Sequence, residues 1–388
     1  VRVAHVSDCY LPRTGGIELQ VRGLSQAQFA AGVSPSIITA TPAARGKPTI
    51  KDETDDGVPI HRLALDLPGG LPISPYLGSR LRNLLVDTAD VVHVHGGLVS
   101  VFAWPALRTA VFAGLPVVVS VHSVWGGWSG SFSAAHAISG WRNWPVVWTT
   151  VSEVAARPLR DALGGKQDVR VLHNGIDLAG WQPPAVEASA VGVDGTGSAS
   201  SDHSDTVTIV SVARLAVRKR GMALIDILER ARLAIPQHRK VSAILIGDGP
   251  DRGRIERALA KRNMSWVTCV GWQDHHQIRE HYAGADIFIS PSRLESFGIA
   301  ALEARTFGLP IVALASSGVN EFITDRVEGR LVADDDGLVA ALSELATDDA
   351  LRKQITDHNR TVKPPFGWDA IVGKANTFYD DAVDLRKG

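Results

Sequence analysis

The stretch ESFGIAALE, Glu295–Glu303, sets two carboxylates eight residues apart around a glycine and an apolar run. On one continuous helix, eight steps of about 100° leave two side chains roughly 80° apart, so the pair would not share a face. The flanks change that reading. ADIFIS before it is a β-branched apolar run, PSRLES is loop-like, and GIAALEARTFG has a glycine at its start and Gly308 at its end, the punctuation of a short helix. Glu295 is therefore expected on the loop ahead of a helix, and Glu303 more than a turn inside it. Placed so, both carboxylates can line one cleft, with the amides of Phe297, Gly298 and Ile299 between them. Carboxylates accept pairs of hydroxyl hydrogen bonds, which makes sugar and ribose diols natural partners. Helix capping or plain surface exposure would explain one of these glutamates, but less easily both.

Outward from this stretch, short apolar runs alternate with amphipathic segments. VRVAHVS, PSIITA, ADVVHVH, LPVVVSVH and PVVWTTVS have the near-continuous β-branched character of strands buried on both faces. TVTIVSVA, VSAILIG, SWVTCVG, ADIFISPS and LPIVALA repeat the pattern after residue 205. Helical spacing between them, as in IELQVRGLSQAQFAAG and DRGRIERALAKR, predicts parallel sheets covered on both faces. Two such series in 388 residues predict two doubly wound α/β domains, 1–182 and 206–365. Residues 183–205, rich in Ser, Gly and Ala, are expected to be a mobile linker. The last segment, 366–388, spaces Phe366, Trp368, Phe378 and Tyr379 like one face of a helix that docks on something.

Composition excludes several classes. Apolar residues at 45% and charged residues at 21% describe a globular protein, and a net charge of −1 argues against nucleic acid as the main partner. Two distant cysteines, Cys9 and Cys269, do not make a disulfide framework and fit a reducing compartment. No apolar run is long enough to span a bilayer. The opening VRVAHVSDCYLPR is a strand carrying Asp8 rather than a signal peptide, so a cytoplasmic location is expected.

Other motifs carry weaker signals. GDGPDRG, 247–253, follows a strand and opens a helix, but its third glycine is one position late for a dinucleotide fingerprint. RTGGIE closes the first strand's loop, where Gly15 and Gly16 would let backbone approach an anion at a helix N-terminus. VARLAVRKRG puts Arg214, Lys219 and Arg220 just past a strand end, where doubly wound folds bind ligands and three cations suit a diphosphate. A solvated basic face is the plainer reading of that run. The run Asp334–Asp336 is a polar loop before a helix rather than a metal site, His275 and His276 are solvated, and Asn174 and Asp177 read as a turn and a cap.

The residues around Glu295 resemble the E-x7-E signature of the family-4 retaining glycosyltransferases, which have the GT-B fold. The similarity spans nearly the whole chain, through GGIE, ADVVHVHG, VVVSVHSVW, TVSEVAARPLRDALG, VRVLHNGID, VARLAVRKRG, AILIGDGP and YAGADIFISPSRLESFGIAALEARTFGLPIVA in the family's order. It implies two Rossmann-like domains facing across a cleft, with the C-terminal helix packing back on the first. It implies transfer of a sugar from a nucleoside-diphosphate donor to an acceptor hydroxyl with retention, without a metal or other cofactor. Glu295, Ser296, Phe297, Gly298 and Ile299 would then hold the donor sugar, and Glu303 the nucleotide ribose. Arg214 and Lys219 would bind the diphosphate, approached by Gly16, and His122 would lie close to the transferred sugar. One extra residue before Gly221 departs from the family's R-L-x-x-x-K-G, which leaves Lys219 and Arg220 as alternatives for the second cation.

For the acceptor, Trp125 and Trp128 in a glycine-rich loop after His122, with Arg142 nearby, suit a sugar, glycolipid or phosphorylated acceptor, and contact with the inner face of a membrane. Packing within the first domain is the competing account of these tryptophans. An NAD-type oxidoreductase is disfavoured by the missing fingerprint. A non-catalytic nucleotide-sugar-binding protein is disfavoured because both glutamates and the cations occur together.

Overall fold

A computed structural model describes residues 1–13, 15–43, 52–64, 78–125, 140–165, 167–183 and 206–387. The chain forms two compact units. One comprises Val1–Ile176, Glu295–Phe297 and Pro365–Gly388; the other comprises Asp177–Leu294 and Gly298–Pro364. The expected linker lies outside the described residues from position 184 onward.

In the first unit the strands are β1 (Arg2–Ser7), β2 (Ser34–Thr39), β3 (Asp52–Asp55), β4 (Val58–Arg62), β5 (Val91–Gly96), β6 (Val117–Val121), β7 (Val146–Thr150) and β8 (Val169–Val171). They form one sheet in the order β3-β4-β2-β1-β5-β6-β7-β8, parallel except for the β3–β4 hairpin. The central strands are buried on both faces: Val117, Val118, Val119 and Val121 of β6 have no exposed surface. This is why the sequence there is β-branched without polar alternation. Register places His5 of β1 opposite His93 of β5, and His95 of β5 opposite Ser120 of β6.

The helix Trp368–Lys387 packs over β5, β6 and β7, beside the helix Gly16–Ala30. Its first residue explains two glycines. A Cβ on Gly23 would lie 2.1 Å from the Trp368 ring, and one on Gly175 would lie 2.2 Å from it, so the indole fits only between two bare backbones. Gln20 fastens the same place by exchanging two 2.9 Å hydrogen bonds with the backbone of Gly175, while the Ile176 amide donates to the Phe366 carbonyl at 2.9 Å. The expected turn at Asn174–Gly175 is not formed, since the backbone there is held by Gln20 instead, whereas Asp177 caps the turn that follows it by accepting from the Gly180 amide.

Six parallel strands build the second unit: β9 (Thr206–Val212), β10 (Lys240–Ile246), β11 (Val267–Gly271), β12 (Ile287–Ser290), β13 (Ile311–Leu314) and β14 (Gly329–Val332). Their order is β11-β10-β9-β12-β13-β14, with strand order reversing between β9 and β12. In a doubly wound sheet such a reversal opens a crevice at the carboxyl ends of the two strands, because the helices leaving them pass to opposite faces. Beneath it lies a core of aliphatic side chains that includes Ile225, Leu228, Ile287 and Leu342. The GDGP loop has its own packing reason. Gly247 has φ +136°, and a Cβ there would sit 1.9 Å from the Ala213 carbonyl oxygen, so this glycine serves backbone-to-backbone packing.

Candidate active site

The two loops that leave the switch-point strands of the second unit carry most of the expected donor-binding residues. After β9 the chain passes Arg214, which is exposed, and turns through Val217–Lys219 into the helix Gly221–Ala234. After β12 it runs to Gly298, which has φ +94° and ψ +54° and caps the helix Ile299–Phe307. Any residue with a Cβ would be strained there, so glycine at this position sets where the helix starts. This settles the geometry of the opening motif. Glu295 precedes the helix and escapes its 100° step, whereas Glu303 is the fifth helical residue. By its contacts Glu295–Phe297 belongs to the first unit, where Phe297 packs on His173 and Phe366 with ring centroids 5.7 and 5.4 Å away.

Glu303 is 8% exposed, and its carboxylate has no hydrogen-bond or ion partner among the described residues. Burial disfavours the charged form, and its pKa is pushed up to about 8. Tyr282, whose hydroxyl donates to the Ala300 carbonyl, is raised well above the ordinary tyrosine value by burial and then by the charge of Glu303.

The cations separate. Arg220 stands at φ +57° as the cap of the helix Gly221–Ala234, and its guanidinium donates to both Asp335 carboxylate oxygens at 3.0 and 2.6 Å and to the Pro291 carbonyl at 2.8 Å. Three of the five guanidinium N–H groups are therefore engaged by the protein, and Asp335 is held below its usual carboxylate range by this bond. Arg220 thus braces the loop against Asp335, which of the two alternatives for the second cation favours Lys219. Of the neighbouring acids, Asp334 caps the helix Asp335–Thr347 through the Gly337 amide and Asp336 pairs with Arg230 at 2.7 Å. His275 and His276 are exposed.

In the first unit, Gly16 opens the helix Gly16–Ala30 behind an extended Gly15. His122 follows β6, its amide donating to the Gly96 carbonyl at 2.9 Å. Its imidazole Nε2 lies 3.1 Å from Nδ1 of His95, whose Nε2 is 3.0 Å from Nδ1 of His5. His93 stacks beside His95 with centroids 4.1 Å apart. His93, His95, His122 and Ser120, with Gln20, His173 and Asn174, line a cavity whose water-accessible space is about 20 Å3, enough for a water molecule. Desolvation lowers His5 and His122 to about 4 and His93 and His95 well below the ordinary histidine value. All four are neutral at pH 7.

Sequence reasoning singled out His122 and missed the three histidines behind it. The available signal was VVHVHG, which puts two imidazoles on one face of a buried strand.

The expected acceptor residues need correcting. Trp125 is 1% exposed and packs edge-on against Trp104, 6.0 Å away, and tilted on Trp141 at 6.2 Å, so it is core rather than a platform for a sugar. Glycines after it suggested an open loop, but the chain is still inside the first unit at that point. Arg142 donates twice to the Ala162 carbonyl, at 3.0 and 2.7 Å, closing the end of the helix Glu153–Ala162. Trp128 lies outside the described residues.

Comparison with known proteins assigns the two halves separately. Residues 14–179 match the model for Glycosyltransferase Family 4, and residues 198–362 match that for Glycosyl transferases group 1. The gpi3 subunit of phosphatidylinositol N-acetylglucosaminyltransferase from Schizosaccharomyces pombe is 27% identical over 393 residues, covering 97% of this chain and 79% of that protein. Sucrose-phosphate synthase from Thermosynechococcus elongatus superposes with a TM-score of 0.74 at 20% identity, covering 98% of this chain and 99% of that one. HepE from Anabaena, solved with UDP, superposes at 0.73 and 15% identity over 98% of this chain and 100% of that one. Among the described residues no helix is long and apolar enough to cross a membrane. With matched models over both halves and a Rossmann order in the second sheet, the chain belongs to the family-4 type of glycosyltransferases, with the GT-B fold.

Proposed function

We propose that this glycosyltransferase moves a hexosyl group from a UDP-sugar or GDP-mannose to an acceptor hydroxyl with retention of anomeric configuration. The observation that carries the proposal is the layout of the second unit's switch point. One loop there brings Arg214 and Lys219, and the other brings a glycine-started helix with the unpartnered carboxylate of Glu303. Arg214 and Lys219 hold the diphosphate, with Gly16 as a further diphosphate ligand, while Arg220 is engaged by Asp335. Glu303 receives the ribose diol. Glu295, Ser296 and the amides of Phe297, Gly298 and Ile299 hold the sugar, with His122 beside it. None of these groups is placed as a covalent nucleophile. The barrier falls chiefly because fixed cations and helix-terminal amides stabilise the charge of the departing diphosphate, which takes the acceptor's proton on the same face. These groups supply the neutralisation without a divalent ion. For the acceptor, a phospholipid or glycolipid hydroxyl at the cytoplasmic face of a membrane is favoured, in keeping with the phosphatidylinositol named for the S. pombe relative.

The test incubates the full chain with UDP-glucose, UDP-N-acetylglucosamine or GDP-mannose and phosphatidylinositol vesicles in the presence of a chelator. Nucleoside diphosphate released only with acceptor, and an α-linked product by NMR, are expected. Inversion at the anomeric carbon, or activity that appears only on adding magnesium or manganese, would overturn the mechanism.

A further inference from the structure

The buried histidines form one continuous hydrogen-bonded chain, and its direction can be worked out from one end. Thr149 donates its only hydroxyl hydrogen to the Val119 carbonyl at 3.0 Å. It must therefore accept from Ser120, whose Oγ is 2.7 Å away. Ser120 then has no hydrogen left for His93, so His93 Nε2, at 2.8 Å, carries the proton and donates. A neutral imidazole has one N–H, which leaves His93 Nδ1 bare to accept from the Tyr379 hydroxyl at 2.9 Å. Tyr379, having donated, accepts from the Gln28 amide nitrogen at 2.9 Å. That turns the Gln28 carbonyl oxygen toward His5 Nε2, 2.7 Å away, and an amide oxygen can only accept. His5 is thus protonated on Nε2 and bare on Nδ1, so His95 donates from Nε2 and accepts on Nδ1 from His122 Nε2.

We propose that this chain is a tautomer lock, in which the Val119 carbonyl, acting through Thr149, Ser120, His93, Tyr379, Gln28, His5 and His95, fixes His122 with its proton on Nε2 and its Nδ1 as an acceptor. Every ring nitrogen of His5, His93 and His95 is used. Among the described residues, His122 Nδ1 is the one nitrogen of the four rings without a partner. The chain contains no carboxylate, and its rings stand 4.1–5.4 Å apart in the core, so a charged state has nothing to balance it.

The three inner histidines could also be taken for a metal site, since ligand nitrogens from each lie within 4.8 Å of one another. An ion there would have to replace hydrogen bonds that already satisfy all six of their nitrogens. Tyr379, Gln28, His5 and His95 are positioning residues: they touch no substrate, and they decide what His122 can do. On the glycosyl-transfer reading, an acceptor nitrogen at His122 takes a hydrogen bond from a sugar hydroxyl and cannot give one. That use rests on the proposed function, whereas the tautomer itself does not.

The experiment is long-range proton–nitrogen NMR of the unliganded full chain with 15N-labelled histidine at neutral pH, the His122 signals being assigned by their loss in His122→Gln. In the wild type, His122 should show a protonated-type Nε2 and a bare-type Nδ1. Tyr379→Phe removes the hydroxyl that orients the Gln28 amide. The amide can then face either way, and the two His122 nitrogen shifts should move toward each other. Gln28→Glu offers only acceptor oxygens to His5, so His122 should keep the wild-type pattern while His93 loses its donor and exchanges tautomer. A protonated Nδ1 on wild-type His122, an unchanged His122 pattern in Tyr379→Phe, or zinc retained stoichiometrically by the purified protein would each overturn the lock. Should Tyr379→Phe fail to fold, the wild-type spectrum and Gln28→Glu decide alone. Absence of transferase activity with an intact Nε2–H pattern would refute the proposed function and leave the lock standing.

Discussion

Replacing Glu303 with glutamine should change the sign of its effect on stability between about pH 5 and pH 8. The carboxyl has an ordinary pKa of 4.5 and is pushed up to about 8 in the folded chain by burial alone. Each tenfold change in proton affinity is worth about 1.4 kcal/mol, so holding the charged form inside costs about 5 kcal/mol relative to the unfolded chain. Because the folded pKa is the higher one, the stability that the neutral acid provides is fully present below 4.5 and is lost as pH rises to about 8. Glutamine has no charge to bury, but it leaves an amide short of partners at about 1–3 kcal/mol. The difference is a gain of about 2–4 kcal/mol for Glu303→Gln at pH 8, and a small loss at pH 5.

Thermal denaturation of the two proteins across this range reads the crossover directly. The same argument has a binding counterpart. If a ribose diol donates to a charged Glu303, then binding UDP or GDP near pH 7 must expel nearly one proton, because the free carboxyl is mostly protonated there. Calorimetry in two buffers of different ionisation enthalpy measures that proton, and Glu303→Gln should abolish its release. Equal destabilisation at both pH values, or nucleotide binding without proton release, refutes the reasoning.

The remaining predictions concern the cations and the first unit's core. Arg214→Ala and Lys219→Ala should each cost about 1.5–3 kcal/mol of UDP or GDP affinity through a lost charge-assisted donor, measured by calorimetry. Arg220→Ala should instead leave that affinity nearly unchanged and lower stability, with the loss fading as acid protonates Asp335, whose pKa its bond depresses. Equal losses of nucleotide affinity from Lys219→Ala and Arg220→Ala would restore Arg220 to the diphosphate site. Trp125→Ala should destabilise the protein by about 3–5 kcal/mol as a large core cavity opens; a folded, fully stable variant with a raised acceptor KM would return this residue to the acceptor.

What was legible in the sequence followed from physics that acts over short spans. Strands buried on both faces must be apolar without alternation, so PSIITA and LPVVVSVH announce β2 and β6 wherever they occur. Gly298 and Gly308 bracket a helix because the backbone needs a left-handed residue at each end, which is why the two glutamates could be placed on loop and helix. The pairings that are distant in sequence were not legible. Arg220 and Asp335 are separated by 115 positions, so a run of three cations could not reveal that one was already neutralised. His93 meets Tyr379 across 286 positions, and only the sheet register brings His5 opposite His93. Local composition also misled once: glycines after Trp125 signal a loop, and they say nothing about how deep the loop begins. The β3–β4 hairpin carried an unread signal, since Asp56–Gly57 between two short runs is the dipeptide that a tight turn with two positive φ angles requires.

The helix Trp368–Lys387 belongs to a unit whose strands lie within the first 176 residues. During synthesis this imposes an order. Domains that emerge first usually fold first, as units, while the ribosome is still adding residues. Here the slot between Gly23 and Gly175 has no indole to fill it, and His93 has no Tyr379 hydroxyl, until the second unit has been made and the chain has passed residue 379. The earlier-born unit is therefore the later one to close. Nascent chains arrested before Trp368 should present a protease-sensitive first sheet beside an already resistant second one.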